Sequence, residues 1–375
     1  MRARCGTIRA HEKARSENEG FREGEARGQA ERRPVYQNDD GGRDVPCRQL
    51  HARPAQERRL AAVPLPRPLV RPTLQLTPLL LVLGLVAAAS VATAAEDRPL
   101  RVVTFNLLHG GPWSGLTGHD DHLEARLALI AAQLRALEPD VVALQESPVS
   151  RWRGDVAARL AEALGLAHVH ARATERVFGW IPLGRLVMGM LGFVEGPAIL
   201  SRYPIVASAI HELPHCVHRL DPRVALRADL ATPAGLLRVY STHTSRDDCQ
   251  TRRVAEVVLA ERGPLPALVM GDLNTGESET VLQELREQGF LDVFREANPT
   301  ARGATVRQDV LASVSTVRRR VDYLLMLPGS RVKARVLSSR VVLDTPGRRA
   351  DGGPLWPSDH YGVLAEIGLS PTPTP

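Results

Sequence analysis

Past residue 71 the sequence has no surplus of either charge sign. Residues 1–71 hold 16 of the 48 Lys and Arg and 10 of the 42 Asp and Glu, which leaves 32 of each for the rest of the chain. The net charge of +6 therefore belongs to the N-terminal stretch and says little about the partners of residues 72–375. HExxH motifs and close His/Cys pairings are also missing, which argues against zinc chemistry. No internal repeat and no interior linker breaks residues 98–369, so that stretch reads as one domain. Cysteine is scarce: beyond residue 47 only Cys216 and Cys249 remain. In an exported chain two cysteines suggest one disulfide, Cys216 with Cys249, the alternative being two separate thiols.

Long apolar runs are scarce as well. Residues 1–69 are rich in Arg, Glu, Gly and Gln and cannot bury enough surface to offset chain entropy, so a disordered basic tail is expected there. The next segment, 70–95, has Arg71 as a short positive region, an apolar run at 79–91, and Ala92, Thr93 and Ala94 as an Ala-x-Ala cleavage site. A membrane helix wants about 20 apolar residues, and this run is shorter. We read it as a cleaved signal peptide, a retained anchor being the alternative. No Cys stands closely behind it, which argues against a lipid-modified terminus. An export signal normally begins a chain, so we expect translation to start near Val63 or Val70. The upstream residues would then be an artefact of the assigned start. Export places the mature protein in the periplasm or outside the cell.

The exported region alternates strand and helix signals. LRVVTFNL (100–107) predicts a buried strand. Leu123, Leu127, Ile130, Leu134 and Leu137 then fall on one helix face, started by Asp120 or Asp121 and stopped by Pro139. Further strands are expected at VVALQE, GPAILS, PIVASAIHEL, RVALRADL, LLRVYSTHT, ALVMGDLN, RVDYLLML, RVLSSRVV and HYGVLAEIG, with helices at 154–165, 247–262 and 277–288. Short, hairpin-like connections among mixed elements predict α/β layers rather than a purely parallel sheet. Residues 370–375 read as a disordered tail. One stretch departs from this pattern, RVFGWIPLGRLVMGMLGF (176–193), whose glycines and proline predict no regular helix. It is either a loop covering the core or an exposed hydrophobic excursion that touches lipid or a lipid-like substrate.

The strands end in residues a core does not need. Asn106 closes the first, Glu146 the second, His243 the VYSTHTS strand, and Asp272 with Asn274 the VMGDLN strand. Asp322 lies in RVDYLL, and Asp359 and His360 open the last strand. Each alone has a plain structural reading as a turn former, rim charge or satisfied histidine. Together they are a set of carboxylates, amides and imidazoles gathered where strand ends converge. Oxygen ligands without thiolates suit a hard cation, Mg²⁺ or Mn²⁺. Imidazole and amide groups can hold phosphate oxygens, and a carboxylate can orient water.

In order, LRVVTFNLLHGG, VVALQES, GPAILSRYPI, VYSTHTS, LVMGDLNT, RVDYLL and WPSDHYGV resemble the blocks of the endonuclease/exonuclease/phosphatase superfamily, the DNase I-like proteins, across about residues 99–368. The resemblance implies an α/β fold of four layers, two packed mixed β-sheets flanked by helices, with the site at one end. It also implies roles. Glu146 resembles the main metal ligand, with Asn106 beside it, and Asp359 looks like a metal-side carboxylate. Asp272 is similar to the residue that orients or activates the attacking water, Asn274 and His243 to those that contact the phosphate. His360 looks like the histidine at the scissile phosphate, held in its tautomer by Asp322. Abasic-site endonucleases carry an acid where Leu108 stands here, a departure from that branch.

The expectation is an exported Mg²⁺-dependent phosphoesterase, with Mn²⁺ as a second candidate ion, that breaks a P–O bond by in-line attack of water. Its substrate would be a phosphodiester of nucleic acid or of a phospholipid head group, and the 176–193 stretch would contact the membrane surface. No obligate protein partner is expected. The alternatives are an inositol-phosphate type of monoesterase and a non-catalytic binding protein that keeps the fold.

Overall fold

The computed structural model describes residues 98–216, 221–246 and 248–371. The basic tail, the apolar run with its cleavage site, and residues 372–375 lie outside the described residues. Eleven longer strands carry the fold: β1 (Leu100–Asn106), β2 (Val141–Ser150), β3 (Ala167–His170), β4 (Phe193–Ser201), β5 (Ile205–Glu212), β6 (Val224–Thr232), β7 (Gly235–His243), β8 (Ala267–Asp272), β9 (Asp322–Leu327), β10 (Val332–Val342) and β11 (Gly362–Pro371). The main helices are α1 (Ser114–Thr117), α2 (Leu123–Leu137), α3 (Val156–Leu164), α4 (Ile181–Leu191), α5 (Asp248–Ala260) and α6 (Thr280–Glu287). The last strand thus runs to Pro371, two residues into the stretch the sequence predicts as tail.

Two sheets form. One has the order β10-β11-β1-β2-β4-β3, with the short strand Gly154–Asp155 added beside β2. The other has the order Leu291–Asp292, then β9-β8-β7-β6-β5. Each contains one parallel pair, β1 with β2 and β7 with β8, among antiparallel neighbours. A parallel pair needs a crossover to bring the chain back, and α2 and α5 supply the two crossovers.

Side-chain alternation explains the layering. Val102, Val141 and Ile199 of the first sheet meet Leu226, Val239, Met270 and Leu324 of the second in a core between the sheets. The intervening residues Val103, Phe105 and Leu144 face Leu127, Ile130 and Leu134 of α2 and Leu160 of α3. On the far side Tyr240, Val269 and Leu325 pack against Val254 and Val258 of α5 and Val281 and Leu285 of α6. A strand period of two gives each sheet two apolar faces, and the helices cover the outer ones. Each fully buried Val or Leu contributes roughly 1.5–3 kcal/mol, so the helix layers are as necessary as the sheets. The result is helix, sheet, sheet, helix, the four-layer α/β sandwich the resemblance implies.

Residues 176–193 correct the sequence reading. They contain a regular helix, α4. Pro182 sits in its first turn, where a backbone N–H would have no partner in any case. Gly184 is required by a close approach, because a Cβ there would fall within 1.9 Å of the Glu175 carbonyl oxygen. The proline and this glycine therefore mark a helix start and a contact, not a break.

Candidate active site

Register builds half of the site. His243 on β7 lies opposite Asp272 on β8, and Asp272 lies opposite Asp322 on β9. Three polar residues thus stand in one row across three adjacent strands. The second sheet's row meets the first sheet through Asn106, whose amide nitrogen donates to Asp272 Oδ2 and Glu146 Oε1, each at 3.1 Å. The amide oxygen accepts from Leu108 N. Beneath them Gln145 reaches across to Ser241 Oγ at 3.3 Å, and Ser241 Oγ donates to Leu144 O at 3.0 Å. Buried, hydrogen-bonded groups of this kind fix the relative position of the two sheets under the site.

Glu146 does not close the second strand as the sequence suggests: β2 runs on to Ser150, and a backbone irregularity within it brings Glu146 to its place. The pairing of β2 with β4 shifts register between Leu144 and Ser147, and Glu146 has φ +52°. A bulge of this type re-aims one side chain at the cost of a local left-handed residue. Burial would raise the Glu146 carboxyl. The nearby imidazole of His109 and the Asn106 hydrogen bond act against it and hold the group down at about 2.

Asp359 and His360 precede the last strand, which begins at Gly362, rather than opening it as the sequence suggests. His360 forms an isolated bridge with Val306 there, so the two neighbours are not bound to the pleat of β11. His360 Nδ1 lies 2.9 Å from Asp322 Oδ2, and Nε2 lies 3.6 Å from Asp272 Oδ2. Burial alone would favour neutral imidazole, but the Asp322 and Asp272 carboxylates raise His360 well above the usual histidine range. Asp272 is raised in turn, first by burial and then by Asp322. Asp359 turns elsewhere: its Oδ2 lies 3.6 Å from Arg307 Nε, and burial, with the Glu146 charge as a smaller cause, raises it.

His243 is held from both sides. Its Nδ1 lies 2.8 Å from Arg223 Nη1 and its Nε2 3.0 Å from Asn274 Nδ2. Burial, helped by the Arg223 charge, pushes it well below the usual histidine range. Both neighbours are donors, and a neutral ring accepts at one nitrogen only. Accepting from Arg223 at Nδ1 leaves the proton on Nε2, toward Asp272 Oδ2 at 3.5 Å, and the Asn274 amide then spends its hydrogen bond on Thr244 O instead. Asn274 is anchored by its own N–H, which donates to Asp272 Oδ1 at 2.8 Å, in a left-handed turn residue with φ +51°.

All eight residues singled out in the sequence, Asn106, Glu146, His243, Asp272, Asn274, Asp322, Asp359 and His360, thus lie in one hydrogen-bonded or charge-coupled group. Sequence reasoning missed three neighbours. Arg223 orients His243. His109 Nε2 lies 3.3 Å from Glu146 Oε2, and its place three residues after Asn106, within the first block, was an available signal. Arg126 is wholly buried, and its guanidinium donates to the carbonyls of Leu107, Leu108, Asp121 and Pro357 at 2.6–3.0 Å. It ties the loop after β1 to the loop that carries Asp359 and His360. Nothing in the apolar period of α2 reveals that duty.

The donor set fits a hard cation. Four carboxylates, those of Glu146, Asp272, Asp322 and Asp359, share the site, and Asp322 Oδ1 is buried with no hydrogen-bond partner among the described residues. Such a concentration of negative charge favours a bound cation. Ligand atoms of Asp272, Asp322 and His360 lie within 4.8 Å of one another. That trio alone makes a poor metal cage, because His360 Nδ1 is already committed to Asp322.

A four-layer sandwich whose strand ends gather carboxylates, amides and a His–Asp pair defines a hydrolase centre of the phosphoesterase kind. The family model of the Endonuclease/Exonuclease/phosphatase family matches residues 103–360, and the chain belongs to that family. The fold is similar to that of an endonuclease/exonuclease/phosphatase from Beutenbergia cavernae, with TM-score 0.53, 23% identity, and 73% of this chain and 72% of that one covered. It is similar also to a mannosyl-6-phosphatase from Bacteroides thetaiotaomicron, with TM-score 0.55, 18% identity and 72% and 99% coverage. A family protein from Leptotrichia buccalis gives TM-score 0.52, 17% identity and 72% and 99% coverage. Among curated proteins none matches the sequence significantly.

Proposed function

We propose that the protein is an exported, divalent-metal-dependent phosphodiesterase. The observation that carries this is the row His243, Asp272, Asp322 with His360 seated over it, its Nδ1 on Asp322 and its Nε2 toward Asp272. Such a centre can hold a phosphate between an imidazole and a water-orienting carboxylate. Glu146 and Asp359, with Asn106 beside Glu146, are the residues that would hold Mg²⁺ or Mn²⁺. When bound, that ion supplies charge stabilisation for the phosphate and leaving oxygen. Asp272 orients the attacking water in line with the leaving group. Asn274 and His243 bind non-bridging phosphate oxygens, and Asn106 keeps Glu146 and Asp272 in register. His360, with its Nδ1 fixed by Asp322, presents Nε2 to the scissile phosphate and handles the proton there.

Export is supported by the disulfide between Cys216 and Cys249, which suits an oxidising compartment. No described helix is long and apolar enough to cross a membrane. Both nucleic acid and lipid head groups offer the required diester. A cavity of about 570 Å³ borders Asn274 and is lined by Arg246, Arg302, Arg319 and Arg320 but also by Asp248, Glu277 and Glu279, a mixed lining that favours neither diester over the other. The mannosyl-6-phosphatase likeness raises a monoester as the alternative. A panel of plasmid DNA, RNA, sphingomyelin, phosphatidylinositol and sugar phosphates, each with Mg²⁺ and with EDTA, tests the reading. Metal-dependent turnover of a diester is expected. Turnover of monoesters alone, or of nothing, contradicts it.

A further inference from the structure

Exposed large apolar side chains are concentrated beside the site. Trp113 immediately precedes α1, and the Trp152 indole N–H donates to Gly115 O of α1 at 3.0 Å. Arg151 N donates to Gly192 O at the end of α4 at 2.9 Å. A Cβ on Gly115 would fall 2.3 Å from Leu191 O, so α1 and the end of α4 are in direct contact. These segments therefore form one continuous surface. On it Trp113, Trp180, Leu186 and Met190 are 67%, 62%, 61% and 62% exposed, and Trp152 is 56% exposed. Gly184 and Met188 are the buried residues of α4, which gives the helix an inner and an outer face, and the outer face is apolar. Contiguous patches of this kind mark a surface that meets another phase or partner.

The charges say which. Residues 107–119, 151–153 and 176–194, which make up this surface, include no Asp or Glu. Arg153 and Arg176 are neutralised from the rim, by Asp120 and Glu124 and by Glu212. Arg172 and Arg185, however, share the single carboxylate of Glu175, which is buried beneath them, and Arg151 has no ion pair among the described residues. A cationic surplus around exposed tryptophans complements anionic headgroups, where each basic residue contributes about 1 kcal/mol, and tryptophan favours the headgroup level. The surface also continues into the site. The His109 ring packs edge-on against Phe193, with centroids 5.2 Å apart, while its Nε2 contacts Glu146.

We propose that the α1–α4 surface docks on a phospholipid bilayer carrying anionic headgroups, with Trp113, Trp152 and Trp180 at the headgroup boundary. The docking stands independently of the chemistry. That it delivers a headgroup phosphodiester to the site rests on the proposed hydrolase reading.

The test is sedimentation with phosphatidylcholine vesicles, with and without phosphatidylserine, read beside quenching of tryptophan fluorescence by brominated acyl chains. Three of the four tryptophans lie on this surface and Trp356 is buried, so quenching reports the surface directly in the unmodified protein. Wild type is expected to co-sediment, more strongly with phosphatidylserine, and to be quenched. A Trp180→Ser Leu186→Ser Met190→Ser variant, which removes exposed groups only, should partition at least about tenfold less. Its turnover of a soluble chromogenic diester should be unchanged. His360→Ala should lose turnover and keep vesicle binding, which separates failure of the chemistry from failure of the docking. Absence of wild-type binding or quenching, or equal binding by the triple variant, overturns the proposal. So does a wild-type dimer that the triple substitution makes monomeric, because a second copy would then cover the surface.

Discussion

Asp322 is fully buried and spends one oxygen on His360 Nδ1 at 2.9 Å. An amide of the same size keeps the packing but loses the charge that orients and supports the imidazole. Asp322→Asn is therefore expected to lower kcat by about 10²-fold or more, with KM and the urea midpoint close to wild type. A variant within twofold of wild-type kcat would make Asp322 merely structural. Arg126 gives the opposite separation. It touches no reacting group, yet its loss strands the carbonyls of Leu107, Leu108, Asp121 and Pro357. Arg126→Met should cost about 3 kcal/mol or more in urea unfolding. A shift under about 1 kcal/mol would mean that those carbonyls find other partners.

Among the elements, what was legible in the sequence tracks the strength of the local pattern. The apolar period of Leu123, Leu127, Ile130 and Leu134 gives α2 with its observed ends, because Asp120 Oδ1 accepts from Leu123 N and Pro139 stops the chain. The polar strand ends were legible because residues such as Asp272 interrupt otherwise apolar runs. Helix α4 was hidden because Pro182 and Gly184 read as breakers unless their position in the turn and the nearby Glu175 carbonyl are known. Arg223 and Arg126 were hidden because charged residues buried by tertiary partners leave no periodic trace. Glu146 was legible as a residue, but the bulge that aims it was not. The cysteine count pointed to the disulfide, which closes a sequence separation of 33 residues beside the start of α5. Reducing it is expected to lower stability by roughly 3–4 kcal/mol from loop entropy. Matched urea curves with and without a phosphine reductant check this, and coincident curves would show that the fold holds that loop unaided.

At the scale of the molecule, two sheets back to back bring the polar ends of β1, β7, β8 and β9 and the bulge of β2 to one rim, and a hydrogen bond from Asn106 to Asp272 joins the halves across it. Small errors in sheet packing would separate Glu146 from His243, so the apolar core between the sheets is part of the catalytic geometry. The proposed chemistry stands or falls on His360 and Asp272 working together on a metal-bound phosphodiester. The decisive measurement is hydrolysis of a generic chromogenic diester by wild type, Asp272→Ala, His360→Ala and the double variant, each with Mg²⁺ and with EDTA. Metal-dependent wild-type turnover is expected, with losses of about 10²–10⁴-fold in each single variant and a double variant scarcely worse than either. Turnover that survives EDTA and is unchanged in the double variant would refute the joint role of these two residues.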